Sequence, residues 1–240
     1  MTTNGVLLAE KVASLRDAGL TRVSVSLDAL DDALFRRMTD SNVPVDRVLQ
    51  GIAAASAAGL APLKVNTVVE RGVNESQILS LVRYFKGTGV ALRFIEFMDV
   101  GGALSWTSDK VMSTSEVRSV IETMYPLRLL DRESAAQTAV NFEHADGGGQ
   151  IGFIASVSQP FCGDCARARV SSDGTFYNCL FATQGMDLKP WLRGGIDALG
   201  LRNAIHQRWA LREDRYSELR ATQPPRTRPY PVVRMSLVGG

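Results

Sequence analysis

The 240-residue sequence is poor in the residues that staple small proteins: it has three cysteines, Cys162, Cys165 and Cys179, and two histidines, His144 and His206. Three thiols crowded into one stretch do not make a disulfide framework, so they point to metal or redox chemistry. Apolar runs long enough to cross a bilayer are missing too, which excludes a transmembrane helix reading. The start, MTTNGVLLAEKVASL, has neither the basic opening nor the continuous apolar stretch of a secretory signal, and a cytoplasmic protein without membrane attachment is expected. A formal net charge of +2 is too small for the electrostatic footprint of a nucleic-acid binder. Against these absences, a hydrophobic content of 45% supports a sizeable core in one large or two modest domains.

Up to about residue 100 the hydrophobic period alternates between helix and strand, the pattern of repeated βα units with a parallel sheet. Val6 to Leu20 reads as an amphipathic helix ending at Gly19. Strands are expected at Arg22 to Leu27, Pro62 to Glu70 and Ala91 to Met98, and helices at Asp28 to Arg37, Val45 to Ala58 and Glu75 to Lys86. Three strands are too few to close a barrel, so the fold class is α/β with an incomplete barrel. Thr2-Thr3-Asn4-Gly5 reads as a loop leaving a strand that is not in the chain. After the Gly-containing connector Asp99 to Ser108 the elements become shorter and mixed, which places a domain boundary near residue 100, between domains 1–100 and 101–240.

The cysteines carry the strongest chemical signal. Phe161-Cys162-Gly163-Asp164-Cys165 sets two thiolates around a Gly-containing turn, and a hairpin turning at Ser172-Asp173-Gly174 brings Cys179 back towards them. Structural zinc normally takes four ligands, and neither histidine has a ligand-like spacing to the cysteines. An iron-sulfur cluster with one open iron is the more economical reading, and zinc remains the alternative. Arg167 and Arg169, two apart on an expected strand, would project together as a cationic fork suited to phosphate, or stand as two surface arginines. Lys64, inside the second strand, either neutralises a phosphate or snorkels to water. Ser26 and Asp28 end the first strand, and Glu96 and Met98 the third, at the end where α/β barrels place their sites.

The segments TTNG, SVSLDAL, KVN, FIEFM, CxxCxRxRxxxxGxxxxCL and the final Gly239-Gly240 stand in one order. Together they resemble the molybdenum cofactor biosynthesis protein A family, the radical S-adenosylmethionine GTP 3',8-cyclases. The resemblance implies the C-terminal part of a (β/α)6 radical S-adenosylmethionine barrel, followed by a smaller α+β domain with an auxiliary [4Fe-4S] cluster whose open iron GTP would coordinate. It implies Cys162, Cys165 and Cys179 as cluster ligands, with Thr2, Lys64, Arg167, Ala168 and Arg169 contacting GTP. Ser26 and Met98 would line the S-adenosylmethionine pocket, and Gly239 and Gly240 would form a mobile tail reaching the active site. The implied reaction converts GTP to 3',8-cyclo-7,8-dihydroguanosine triphosphate, which a downstream cyclic pyranopterin monophosphate synthase takes up, and a homodimer is compatible with it.

The sequence departs from the family pattern at its start. The CxxxCxxC that binds the cluster cleaving S-adenosylmethionine is absent, so that second [4Fe-4S] cluster is expected only in a full-length form. The chain as written is expected to be truncated and inactive by itself. The alternatives are a non-catalytic GTP-binding iron-sulfur module and a zinc-stabilised fragment.

Overall fold

The structure, a computed structural model, describes residues 1–100, 106–134, 137–182, 184–193, 197–213 and 216–219. Two compact units emerge: residues 1–97 with 107–159, and residues 98–106 with 160–240.

The first unit is built on a seven-stranded sheet. Its strands are β1 (Thr2–Thr3), β2 (Val23–Ser26), β3 (Leu63–Val69), β4 (Ala91–Glu96), β5 (Leu127–Leu129), β6 (Val140–His144) and β7 (Gln150–Ile154). Their order is β1-β2-β3-β4-β7-β6-β5, parallel from β1 through β4 to β7 and antiparallel across β6 and β5. Thr2 and Thr3, expected as a loop, form a strand of their own, because the Met1 carbonyl and the β2 backbone pair in parallel register. A single cut near residue 100 also divides the chain differently from the packing. Residues 107–159 return to the first sheet because β7 satisfies the open edge of β4.

Strict alternation explains the layers. Along β3 every second residue (Leu63, Val65, Thr67, Val69) is buried, while Lys64, Asn66 and Val68 are half-buried, and β2 and β4 follow the same period. The buried set joins one apolar cluster with α1 (Leu8–Asp17), α3 (Val45–Ala57), α4 (Ile78–Phe85) and α5 (Thr114–Glu122). α1 and α3 approach closely at Gly51, where a Cβ would lie 2.5 Å from the Gly5 carbonyl. α2 (Asp32–Thr39) is capped by Asp31, whose carboxylate accepts from Leu34 N at 2.7 Å. α5 begins in a capping box between Ser113 and Glu116. No helix among the described residues is long and apolar enough to cross a membrane.

Glu96, expected at the ligand end of β4, is instead a structural carboxylate. It is 1% exposed and accepts from Thr114 N at 2.8 Å, from Val157 N and Ser158 N at 2.7 Å each, and from the Ser158 hydroxyl. Both oxygens are saturated by donors of the α5 N-terminus and of the chain leaving β7. A buried charge is tolerated when hydrogen bonds of this kind replace its water.

The second unit contains a three-stranded antiparallel sheet of β8 (Arg169–Val170), β9 (Thr175–Tyr177) and β10 (Met186–Asp187), with α6 (Lys189–Arg193), α7 (Ala198–Ala210) and α8 (Tyr216–Leu219). The hairpin expected between the second and third cysteines is present, pairing β8 with β9 in antiparallel register. Its turn is held by the Ser171 and Thr175 backbones and by the Ser171 hydroxyl bonded to Asp173.

Glu96→Gln is expected to destabilise the protein by on the order of 3 kcal/mol, since an NH2 group then faces donors that lose their acceptor. Urea unfolding at neutral pH checks this, with the midpoint falling and the slope unchanged.

Candidate functional site

Strand register gathers several candidate residues on the half-buried face of the first unit's sheet. Thr2 lies opposite Ser24, Ser24 opposite Lys64, and Lys64 opposite Ala91. The next row on the same face aligns Ser26, Asn66, Arg93 and Gly152. Residues in one row, and residues two apart on a strand, share a face, so Thr2, Ser26, Lys64, Asn66 and Arg93 stand on one side of the sheet. Lys64 sits on the half-buried face because the helices cover only the other.

Arg93 was missed in the sequence. The alternation in Ala91 to Glu96 did carry the signal, since Leu92, Phe94 and Glu96 are buried and Arg93 faces away from them. Its side chain has room because residue 152 is glycine, where a Cβ would lie 3.1 Å from Arg93 Cγ and 2.9 Å from Asn141 Oδ1. Burial, then the charges of Arg93 and Arg22, pull the Lys64 pKa down, and Glu133 opposes them. Burial also pulls Arg93 down, again against Glu133. Several cations outnumbering the one opposing carboxylate form a surface suited to an anion.

Asp28, just past β2, accepts from Val68 N at 2.7 Å, and the Asn74 carboxamide bridges the Asp28 and Val68 carbonyls at 2.8 Å each. The ends of β2 and β3 are thereby tied. Burial pushes the Asp28 carboxyl up to about 6, with the Val68 hydrogen bond working the other way.

In the second unit the CxxC segment forms a tight turn, closed by Cys165 N donating to the Cys162 carbonyl at 3.3 Å. Burial raises the pKa of the Cys165 thiol, but hydrogen bonds from the Arg167 side chain and backbone, with the charges of Arg167 and Arg212, outweigh it and the net shift is downward. Arg167 Nε stands 3.4 Å from Cys165 Sγ, and its guanidinium lies over the Phe161 ring at 5.1 Å. Cys179 Sγ accepts from Phe181 N at 3.4 Å. Burial lowers the Arg169 pKa, helped by Arg167 and opposed by both Cys165 and Cys179, so one guanidinium senses two of the thiols. The arginine pair does not arise from strand alternation as expected. Arg167 precedes β8 and folds back on the cysteine turn, while Arg169 lies within the strand. Ala168 between them is exposed.

Among the described residues no three His, Cys, Asp or Glu side chains lie close enough to share one metal ion. His144 belongs to the first unit, buried edge-to-face against Tyr125 with centroids 5.7 Å apart, and His206 is exposed on α7. Neither stands with the cysteines as a ligand. Met98 is half-buried in the second unit, two residues after Glu96. Gly239 and Gly240 lie outside the described residues.

Comparison with known proteins decides the family. The Radical SAM superfamily matches residues 1–85 and Molybdenum Cofactor Synthesis C matches residues 90–218. The GTP 3',8-cyclase of Xanthomonas axonopodis pv. citri (strain 306) is 53% identical over 240 residues, covering 100% of this chain and 70% of that protein. The protein of the same description from Xanthomonas campestris pv. campestris (strain 8004) is 52% identical, covering 100% of this chain and 69% of its own length. That from Staphylococcus carnosus (strain TM300) is 41% identical over 241 residues, covering 100% and 71%. The chain belongs to the GTP 3',8-cyclase family. It is therefore a member of a radical S-adenosylmethionine enzyme family of molybdenum cofactor synthesis, and the matches favour neither a non-catalytic module nor a zinc-stabilised fragment.

The Asp28 value gives a pH dependence with a definite sign. Its folded pKa, about 6, exceeds the ordinary 3.8, so its contribution to stability is complete below about pH 4 and is lost as pH rises through 6. Asp28→Asn cannot ionise and its amide oxygen still accepts from Val68. The melting temperature of Asp28→Asn relative to the parent is expected to rise between pH 4 and 7 and then level off.

Proposed function

We propose that this chain carries the substrate-holding residues of the GTP 3',8-cyclase reaction, in the C-terminal part of an incomplete radical S-adenosylmethionine barrel and an auxiliary-cluster domain. The observation that carries the reading is the pair of half-buried cations, Lys64 and Arg93, on the open face of the sheet, where no salt bridge within 4 Å engages either among the described residues. Guanidinium and ammonium groups held partly out of water bind phosphate oxygens with little competition from solvent. Lys64 and Thr2 are assigned to GTP, with Arg93 added for its phosphates, and Ser26 and Met98 to S-adenosylmethionine.

In the second unit Cys162, Cys165 and Cys179 are assigned to an auxiliary [4Fe-4S] cluster. The donor set fits: Cys165 is shifted towards thiolate, Cys179 receives a backbone N–H, and Arg169 senses the charge of both. A four-iron cluster takes each thiolate on a separate iron, so its ligands stand wider apart than those around a single ion. When bound, the cluster supplies an iron with an open position that a donor atom of the guanine can fill. Arg167, Ala168 and Arg169 are assigned to GTP beside it, and Gly239 and Gly240 to the tail that completes the site. The CxxxCxxC of the second cluster is not among these 240 residues, so this polypeptide by itself does not cleave S-adenosylmethionine. A cytoplasmic location, a homodimer and hand-over of the product to a cyclic pyranopterin monophosphate synthase go with the reading.

Lys64→Ala and Arg93→Ala are each expected to weaken GTP binding at least about tenfold, equivalent to about 1.4 kcal/mol, and to leave guanosine binding unchanged. Isothermal titration with both ligands checks this, and equal losses for GTP and guanosine would refute the phosphate assignment. Anaerobic reconstitution with iron and sulfide is expected to give a brown protein with a thiolate-to-iron absorption band. Incubated with S-adenosylmethionine and dithionite, it is expected to release no 5'-deoxyadenosine, and release of that product overturns the inactivity of this polypeptide.

A further inference from the structure

The turn that presents Cys162 and Cys165 is held from outside by a segment more than forty residues further along the chain. Arg212 lies just beyond the end of α7. Its Nη1 donates to the Cys165 carbonyl at 2.5 Å and its Nη2 to the Cys162 carbonyl at 3.2 Å. Those two carbonyls belong to the two ligand positions of the CxxC turn. A guanidinium is the one side chain whose planar fork can engage both at once, because its donors are fixed relative to each other. The Arg212 fork is itself steadied by the Trp209 ring, 5.4 Å from its central carbon.

Neighbouring residues of the same segment reinforce this hold. Glu218 Oε1 accepts from the Gly163 backbone N–H at 3.2 Å, inside the CxxC turn. The Tyr216 ring stacks on Phe181 with centroids 4.5 Å apart, and the Phe181 N–H points at Cys179 Sγ. The Tyr216 hydroxyl bonds to the Asp99 carboxylate, next to Met98. Within the turn itself, Cys165 N donates to the Cys162 carbonyl and Arg167 Nε reaches Cys165 Sγ, while Gly163, Asp164 and Ala166 are exposed and the β8 strand starts only at Arg169.

We infer that Arg212, Tyr216 and Glu218 form a clasp on the cysteine loops, and that Arg212 is a positioning residue for the metal centre. The clasp rests on the cluster assignment proposed above. Partners that orient metal ligands, without touching the metal, commonly set metal affinity by about 10- to 100-fold. The Arg212 charge has a second consequence. Reduction adds negative charge to a thiolate-bound cluster, so a nearby guanidinium favours the reduced form.

The test compares the parent chain with Arg212→Ala, Arg212→Lys and Glu218→Ala after anaerobic reconstitution. The readouts are the rate of iron loss to a chelator, the electron paramagnetic resonance spectrum of the reduced cluster, and its midpoint potential. Arg212→Ala is expected to lose iron at least about tenfold faster and to have a lower potential. Arg212→Lys keeps the charge but cannot span both carbonyls, so it is expected to restore the potential and not the retention. Glu218→Ala is expected to lose iron faster than the parent by a smaller factor. It carries the test if circular dichroism shows Arg212→Ala unfolded. Iron loss and spectra equal to those of an iron-loaded parent overturn the clasp alone, whereas a parent chain that takes up no iron overturns the cluster assignment and the clasp with it.

Discussion

The carboxylate of Glu96 is the point on which the first unit's architecture turns. A charge that is 1% exposed must find hydrogen bonds to replace its water, and Glu96 finds them from Thr114, Val157 and Ser158, far from it in sequence. Satisfying one side chain therefore fixes three chain segments at once: the end of β4, the start of α5 and the exit from β7. The positive end of the α5 dipole and the Thr114 N–H at its first turn favour an anion there, so the attraction and the hydrogen-bond geometry agree. The chain leaves the first unit after Phe97 and again after Gln159, and both departures start beside this carboxylate.

Once the sheet is held, alternation divides its labour. One face is covered by helices and buries Val, Leu and Phe; the other is only half-buried and carries Thr2, Ser26, Lys64, Asn66 and Arg93. Burial is the main reason the pKa values of Lys64 and Arg93 fall, and repulsion from Arg93 and Arg22 lowers Lys64 further. An anionic ligand relieves that repulsion. The second unit works with less apolar material: among its described residues only Phe176, Ala182 and Leu188 are buried hydrophobics. A unit with so small a core gains order from polar contacts such as those of Arg212 and Glu218 with the cysteine turn. The concentration of arginine around its cysteines, Arg167, Arg169 and Arg212, matches the negative charge that thiolates bring.

The sequence by itself determined the βα alternation, the helices and strands between residues 6 and 98 to within a few residues, the hairpin between Cys165 and Cys179, and the cysteine set. These follow from hydrophobic period, turn residues and side-chain chemistry, all of which are local properties. It also pointed to Lys64, Ser26 and the two arginines, although the reason given for the arginine pair, strand alternation, does not hold for Arg167. Only the tertiary structure decided that residues 107–159 rejoin the first sheet, that Thr2 and Thr3 form a strand, that Glu96 is structural, and that Arg93 and Arg212 stand where they do. Each of these depends on which distant backbone group lies opposite a given residue: β7 beside β4, Thr114 and Ser158 beside Glu96, Gly152 opposite Arg93, the Cys162 and Cys165 carbonyls beside Arg212. Period and composition say which face a residue turns to, and only the pairing of remote segments says what it meets there.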